Sequence, residues 1–143
     1  MLTVGLKAPE FSAPDQDGKI HQLSDYNGRW LLLYFYPKDN TPGCTTEACS
    51  IRDNFDEFKK INAAVVGVSK DSVKSHAGFA AKYSLPFTIV ADLEKKIITA
   101  YEVSSRVSYL INPKGEIAKV YSKVKPAEHA AEVLKDIREL SKV

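Results

Sequence analysis

Both cysteines of this 143-residue chain lie in one short segment. Cys44 and Cys49 belong to residues 36–49, which read YPKDNTPGCTTEAC. The thiolate form of cysteine is the nucleophile and the metal ligand. In a reducing compartment a structural disulfide is uncommon, so such a pair points to redox catalysis or to metal binding.

The residues before Cys44 predict the start of a helix. Thr41 is a candidate N-cap, and Pro42 suits the first helical position because it has no N–H to leave unpaired. Cys44 would then lie in the first turn, where free N–H groups and the helix dipole stabilise negative charge. Thiols at such positions have pKa values lowered to roughly 3.5–7.5, so Cys44 is the candidate nucleophile.

Cys49 lies too far along the predicted helix to bond directly to Cys44. Five residues of α-helix give about 140° of rotation and about 7.5 Å of rise, hence a Cα separation of roughly 8.6 Å. A disulfide requires less than about 7 Å. Either the pair never bonds or the first helical turns unwind. Only Cys44 shares the apolar stripe of the helix, so we expect one buried, reactive sulfur and one more accessible sulfur.

Strand and helix patterns alternate around the cysteine segment. A continuous apolar run at residues 30–36 predicts a buried strand, followed by a helix from 42 to about 61 and a second strand at 63–69. This order predicts parallel strands. Further strands are predicted at 87–91, 107–111 and 117–121, the last two as a hairpin, with helices at 73–83, 94–101 and 126–140 and a small hairpin near residues 11–20. We expect one domain, residues 1–143.

Composition excludes several classes of function. Twenty basic and eighteen acidic residues give a net charge of +2 without a basic block, so we expect no nucleic-acid partner. The longest apolar run is far too short to span a bilayer, and the first residues do not resemble a secretory leader. We therefore expect no membrane partner and a cytoplasmic protein, or a mature form without its targeting segment.

The cysteine motif resembles that of a known family. Pro37-x-x-x-Thr41-x-x-Cys44 after a buried strand is similar to the active-site motif of the peroxiredoxins, and PKDNTPGCTTEAC followed by Arg52-Asp53 resembles their bacterioferritin comigratory protein, or Q-type, group. This resemblance implies an α/β, thioredoxin-like fold, in which helices flank a central mixed sheet and a β-hairpin lies at the N-terminus. It also implies reduction of hydrogen peroxide and organic hydroperoxides. Matching segments extend over nearly the whole chain: Gly5-x-x-Ala8-Pro9-x-Phe11, Gly67-Val68-Ser69-x-Asp71-Ser72, Leu85-Pro86-Phe87, and Arg106 before Asn112-x-x-Gly115.

The resemblance also implies roles for particular residues. Cys44 is similar to the cysteine that attacks the peroxide, and Pro37, Thr41 and Arg106 complete the peroxide site. The Thr41 hydroxyl and the N–H groups of Gly43 and Cys44 would bind the peroxide oxygens. Arg106 would stabilise charge first on sulfur and then on the leaving oxygen.

The same resemblance implies how the oxidised product is recycled. Attack leaves a sulfenic acid on Cys44, which condenses with a nearby thiol. In the Q-type group a cysteine placed like Cys49 supplies that thiol, and thioredoxin or a similar dithiol protein reduces the disulfide. We expect no cofactor, no metal and a monomer.

Two other functions for the cysteine pair stay open at this stage. A metal-binding module on the same fold would require closely spaced soft ligands, and no histidine is convincingly placed beside the pair. A thiol–disulfide exchange protein would more usually have the pattern C-x-x-C at the helix start.

Some residues fit the pattern less well. The segment before Arg106 is shorter than is common in the Q-type group, which predicts a more open pocket. The role of Glu47 is left open, since an acid near a helix start suits the dipole without catalysis. We expect His21, His76 and His129 at the surface or at helix caps.

Overall fold

The computed structural model describes residues 1–142, and its elements alternate between strands and helices. The strands are β1 (Ser12–Pro14), β2 (Ile20–Gln22), β3 (Trp30–Phe35), β4 (Ala63–Ser69), β5 (Thr88–Ala91), β6 (Val107–Ile111) and β7 (Ile117–Tyr121). The helices are α1 (Pro42–Asp53), α2 (Phe55–Lys60), α3 (Val73–Tyr83), α4 (Lys96–Ala100) and α5 (His129–Leu140), with a 3-10 turn at Leu23–Tyr26.

Strand β3 is the centre of a five-stranded mixed sheet with the order β5-β4-β3-β6-β7. It pairs in parallel with β4 and antiparallel with β6, so the predicted parallel unit and the predicted C-terminal hairpin are both present. Strands β1 and β2 form a separate antiparallel hairpin near the N-terminus. The predicted α/β fold with a central mixed sheet and an N-terminal hairpin is confirmed.

Alternating side chains of β3 enter two cores on opposite faces of the sheet. Leu32 and Tyr34, together with Tyr36 directly after the strand, point to the face covered by α1, α3 and α5. Leu31, Leu33 and Phe35 point to the face covered by α4 and the N-terminal segment. Because both faces are covered, β3 is apolar throughout rather than alternating, as is usual for buried parallel strands. The cysteine helix therefore lies over the first of these two faces.

The predicted single helix from residue 42 to about 61 is two helices. It breaks at Asn54, whose Nδ2 donates to the Ser50 carbonyl at 2.8 Å. Such a side chain competes for the carbonyl oxygens that a continuing helix would use. The apolar stripe continues across the break, with Ile51 and Phe58 both fully buried, so hydrophobic spacing alone did not reveal it.

None of the helices in the described part of the chain is long and apolar enough to cross a membrane.

Candidate active site

Cys44 lies in the first turn of α1, directly after the loop that follows β3. This loop turns at Asn40, whose φ is 60°, and Thr41 is extended with φ −93° and ψ 152°. The helix begins at Pro42, as the sequence predicts. Cys44 is 1% exposed, and it faces the core under α1.

The Thr41 side chain does not cap the helix in the way its residue type predicts. Its Oγ1 instead donates to the carbonyl of Lys38 at 2.8 Å, and it makes no capping bond to the described part of α1. The backbone N–H groups of Gly43 and Cys44 belong to the first helical turn, which has no intrahelical acceptors for them. These N–H groups are thus available to a ligand beside the Cys44 sulfur.

Arg106 lies directly before β6 and reaches the first turns of α1. Its Nη2 lies 3.3 Å from Cys44 Sγ, and its Nη1 lies 2.6 Å from Glu47 Oε1. Close approach depends on Gly43, because a Cβ at that position would lie 3.0 Å from Arg106 Nη2. The guanidinium is permanently cationic, so it places a positive charge and a hydrogen-bond donor beside the Cys44 sulfur.

Glu47 is a site residue whose role the sequence left open. It is fully buried three residues after Cys44, on the same face of α1, and forms an ion pair with Arg106. Burial raises the pKa of Glu47 to about 7, even though Arg106 acts in the opposite direction. Its Oε2 is buried without a hydrogen-bond partner within residues 1–142. The three-residue spacing from Cys44 was the signal in the sequence that could have identified it.

Tyr34 lies on the same face of the sheet as Cys44. Its hydroxyl is fully buried and, like Glu47 Oε2, makes no hydrogen bond to the rest of the described chain. Burial, and then the charge of Glu47, raise the pKa of Tyr34 well above its ordinary value, so the phenol stays neutral. Gly67 on the neighbouring strand leaves space for the ring, since a Cβ there would lie 2.9 Å from the Tyr34 hydroxyl oxygen.

Cys49 is partly exposed, in contrast to Cys44, and both cysteines are free thiols in this structure. It lines a shallow cavity of about 560 Å³ together with Thr45, Thr46 and Ala127. The expected arrangement of one buried and one more accessible sulfur is present.

Pro37 is exposed at the end of β3. It lines a groove of about 710 Å³ that also includes Ile98 and residues 102–105, the short segment before Arg106. Cys44 and Arg106 do not line this groove. The short segment before Arg106 therefore borders an open groove.

Comparison with known proteins identifies the family. A family model described as the AhpC/TSA family matches residues 4–120. Peroxiredoxin Bcp of Bacillus subtilis is 39% identical over 98% of this chain and 98% of its own length, and the chloroplastic peroxiredoxin Q of Triticum aestivum is 41% identical over 97% of this chain and 68% of its own.

Solved structures give the same assignment. A cysteine-to-serine mutant of PrxQ from Xylella fastidiosa superposes with a TM-score of 0.94 at 35% identity, and the match covers 99% of this chain and 98% of that one. The bacterioferritin comigratory protein of Xanthomonas campestris gives 0.92 at 33% identity, with 97% and 99% covered. The family resemblance and the thioredoxin-like fold are thus confirmed, and the chain belongs to the AhpC/TSA family as a thiol-dependent peroxidase of the peroxiredoxin Bcp/Q group.

Proposed function

We propose that Cys44 reduces the peroxide and that Cys49 then forms a disulfide with it. The observation that supports these roles best is the 3.3 Å contact between Arg106 Nη2 and the sulfur of Cys44, which is buried in the first helical turn. A hydrogen-bonded cation and free N–H groups there favour negative charge on sulfur, whereas the Cys49 side chain makes no hydrogen bond within residues 1–142.

The first step transfers one oxygen from the peroxide to sulfur. The Cys44 thiolate attacks one peroxide oxygen, an S–O bond forms, the O–O bond breaks, and the second oxygen leaves as hydroxide or alkoxide. Negative charge moves from sulfur to the leaving oxygen, so the donors must lie close to both positions. Arg106 Nη2 lies at the sulfur, and the N–H groups of Gly43 and Cys44 have no intrahelical acceptors.

Thr41 and Pro37 complete this proposed site. The Thr41 hydroxyl already donates its proton to the Lys38 carbonyl, so its lone pairs are free to accept the O–H of a hydroperoxide. Pro37, at the start of the same loop, limits access of water to the site from the groove side.

The second step is the condensation of the Cys44 sulfenic acid with the Cys49 thiol. An S–S bond forms and water leaves. In the intact α1 the two Cα atoms are about 8.6 Å apart by helix geometry, which exceeds the reach of a disulfide. The first turns of α1 must therefore unwind between the two chemical steps.

The disulfide must then be reduced by an external dithiol. We propose a thioredoxin-type protein, because Cys49 lies at a partly exposed position where a second thiolate can attack its sulfur. The proposed substrates are hydrogen peroxide and organic hydroperoxides; the Xanthomonas campestris relative is described as having alkyl peroxide reduction activity. A single domain, a monomeric state and a cytoplasmic location stay predictions from the sequence.

Replacement of each cysteine separates the two proposed roles. After one equivalent of hydrogen peroxide, we expect wild type to lose the mass of two hydrogens, Cys49→Ser to gain one oxygen, and Cys44→Ser to stay unmodified. Intact-mass spectrometry after rapid quench measures all three. Rapid oxidation of Cys44→Ser would contradict the assignment of the nucleophile. A wild type that gains one oxygen and never loses two hydrogens would contradict the assignment of the resolving thiol.

Arg106→Met removes the cation but keeps much of the side-chain volume. We expect the rate constant of sulfenic acid formation to fall by about 10²-fold, because one preorganised charged donor is lost. Reduction of the preformed disulfide by a dithiol should change little. The matched control is Arg138→Met, which removes a half-exposed arginine paired with Glu57 and should leave both steps unchanged. A slower reductive step with normal peroxide attack would refute the role of Arg106.

Glu47→Gln tests the electrostatics of the site through its pH dependence. The folded-state pKa of Glu47 is raised from 4.5 to about 7, so the folded protein binds this proton more tightly than the unfolded chain. The stability it contributes is fully present below pH 4.5 and is lost as the pH rises through about 7, an effect of about 3 kcal/mol.

Urea unfolding at several pH values measures this contribution. The difference in unfolding free energy, wild type minus Glu47→Gln, should decrease steadily from pH 4.5 to 8. A difference that is constant over this range would show that the folded and unfolded states hold the Glu47 proton equally.

A further inference from the structure

A buried hydrogen-bonded cluster holds the loop that precedes Cys44. At its centre is Asp39, which is 5% exposed and lies between Pro37 and Thr41 of the proposed site. We call this cluster the Asp39 network; it comprises Tyr36, Asp39, Ser69, Asp71, Ser75 and His76.

The Asp39 carboxylate accepts hydrogen bonds from three side chains. Tyr36 Oη donates to Oδ1 at 2.6 Å, and Ser75 Oγ donates to Oδ2 at 2.8 Å. His76 Nδ1 lies 2.7 Å from the same Oδ2. Burial opposes ionisation of Asp39, but these bonds outweigh it and hold its pKa below the ordinary value. The carboxylate is therefore charged in the folded protein.

His76 pairs with Asp39 inside the protein. Its ring is fully buried, and His129 is buried too, which corrects the expectation of surface or capping residues. In His76, Nε2 lies 2.9 Å from the Val90 carbonyl oxygen, and Nδ1 lies 2.7 Å from the Asp39 carboxylate. The result is a buried Asp–His pair that links the active-site loop to α3 and, through Val90, to β5.

The backbone of Asp39 is held as well. Its N–H donates to Asp71 Oδ2 at 2.8 Å, and the same oxygen accepts from Ser69 Oγ at 2.7 Å. Side-chain atoms of Asp39, Asp71 and His76 that could bind a metal lie within 4.8 Å of one another, but each is engaged in these internal bonds. The cluster thus serves to fix the chain, and Asn40, with its φ of 60°, follows directly.

The other end of α1 is attached independently. Ser50 Oγ donates to the Ala127 carbonyl at 3.2 Å, Arg52 Nη1 donates to the Tyr83 carbonyl at 2.7 Å, and Ile51 is fully buried. The part of the chain that must unwind for a disulfide, residues 40–49, therefore lies between two fixed points. Its own side-chain contacts to Arg106 are made at Cys44 and Glu47.

We propose that the Asp39–His76 pair is a positioning device that holds the first turn of α1 folded for peroxide attack and so limits how fast the turn unwinds for disulfide formation. The pair fixes the residues immediately before the N-cap, and the first turn of a helix has few internal hydrogen bonds to keep it formed. Loosening the loop destabilises the folded turn relative to the unwound turn. This inference rests on the proposed roles of Cys44 and Cys49.

The test compares two variants of the network with a matched control. His76→Gln removes the buried imidazole, and Ser75→Ala removes one hydroxyl donor to the same Asp39 oxygen, in case the first variant folds poorly. The control is His21→Gln, which disrupts a second Asp–His pair of the same 2.7 Å length, with Asp15, in the N-terminal hairpin. Rapid-quench intact mass follows the loss of the Cys44 thiol and the appearance of the disulfide as separate steps.

The inference predicts opposite changes in the two steps. In His76→Gln, peroxide attack should slow and disulfide formation should accelerate, together shifting the ratio of the two rate constants by about tenfold, the effect of losing a hydrogen bond to a charged carboxylate. Ser75→Ala should shift it in the same direction by less, and His21→Gln should not shift it. The inference would be overturned if both rate constants stayed unchanged, or if both decreased together, in folded His76→Gln and Ser75→Ala. Failure of wild type to form the disulfide would instead refute the proposed function.

Discussion

One partly buried guanidinium group determines the arrangement of this site. Arg106 is shared between Cys44 Sγ and Glu47 Oε1, so one cation faces two groups that can each be negative. Burial makes an unpaired charge costly, which is why the carboxyl and the thiol compete for the same partner. Gly43 permits the close approach of Arg106 to α1. The Tyr34 phenol, on the same face of the sheet as Cys44, is neutral and adds no further charge to the site. When Glu47 keeps its proton, Cys44 is the one of these two groups that can hold the negative charge opposite Arg106.

The helix that creates this environment also keeps the two sulfurs apart. In the proposed mechanism, peroxide attack by Cys44 requires an intact first turn, with its free N–H groups and its contact to Arg106, whereas bonding to Cys49 requires that turn to open. A single rigid structure cannot satisfy both requirements. We propose that the alternation is confined to a short segment, because Asp39 and His76 hold the loop before it and the core holds the later turns of α1.

Much of the architecture could be predicted from local sequence, because the signals for it are local. The continuous apolar run of the central strand and the Pro-Gly start of α1 are short-range patterns, and they placed Cys44 correctly in the first turn. The role of Glu47 stayed open and the burial of His76 was missed, because their partners lie 59 and 37 residues away. A buried charged residue and a solvated one look alike in the sequence. The break at Asn54 was missed because the apolar stripe continues on both sides of it.

The central claim is that the first turns of α1 unwind between peroxide attack and disulfide formation. Hydrogen exchange followed by mass spectrometry, on the fully reduced protein and on the disulfide form, tests it most directly. The account predicts that amides of residues 45–49, which are hydrogen-bonded within α1 from Thr45 onward, lose protection in the disulfide form, while those of β3 and β4 keep theirs. Equal protection of residues 45–49 in both forms, with the Cys44–Cys49 bond verified by mass, would contradict it.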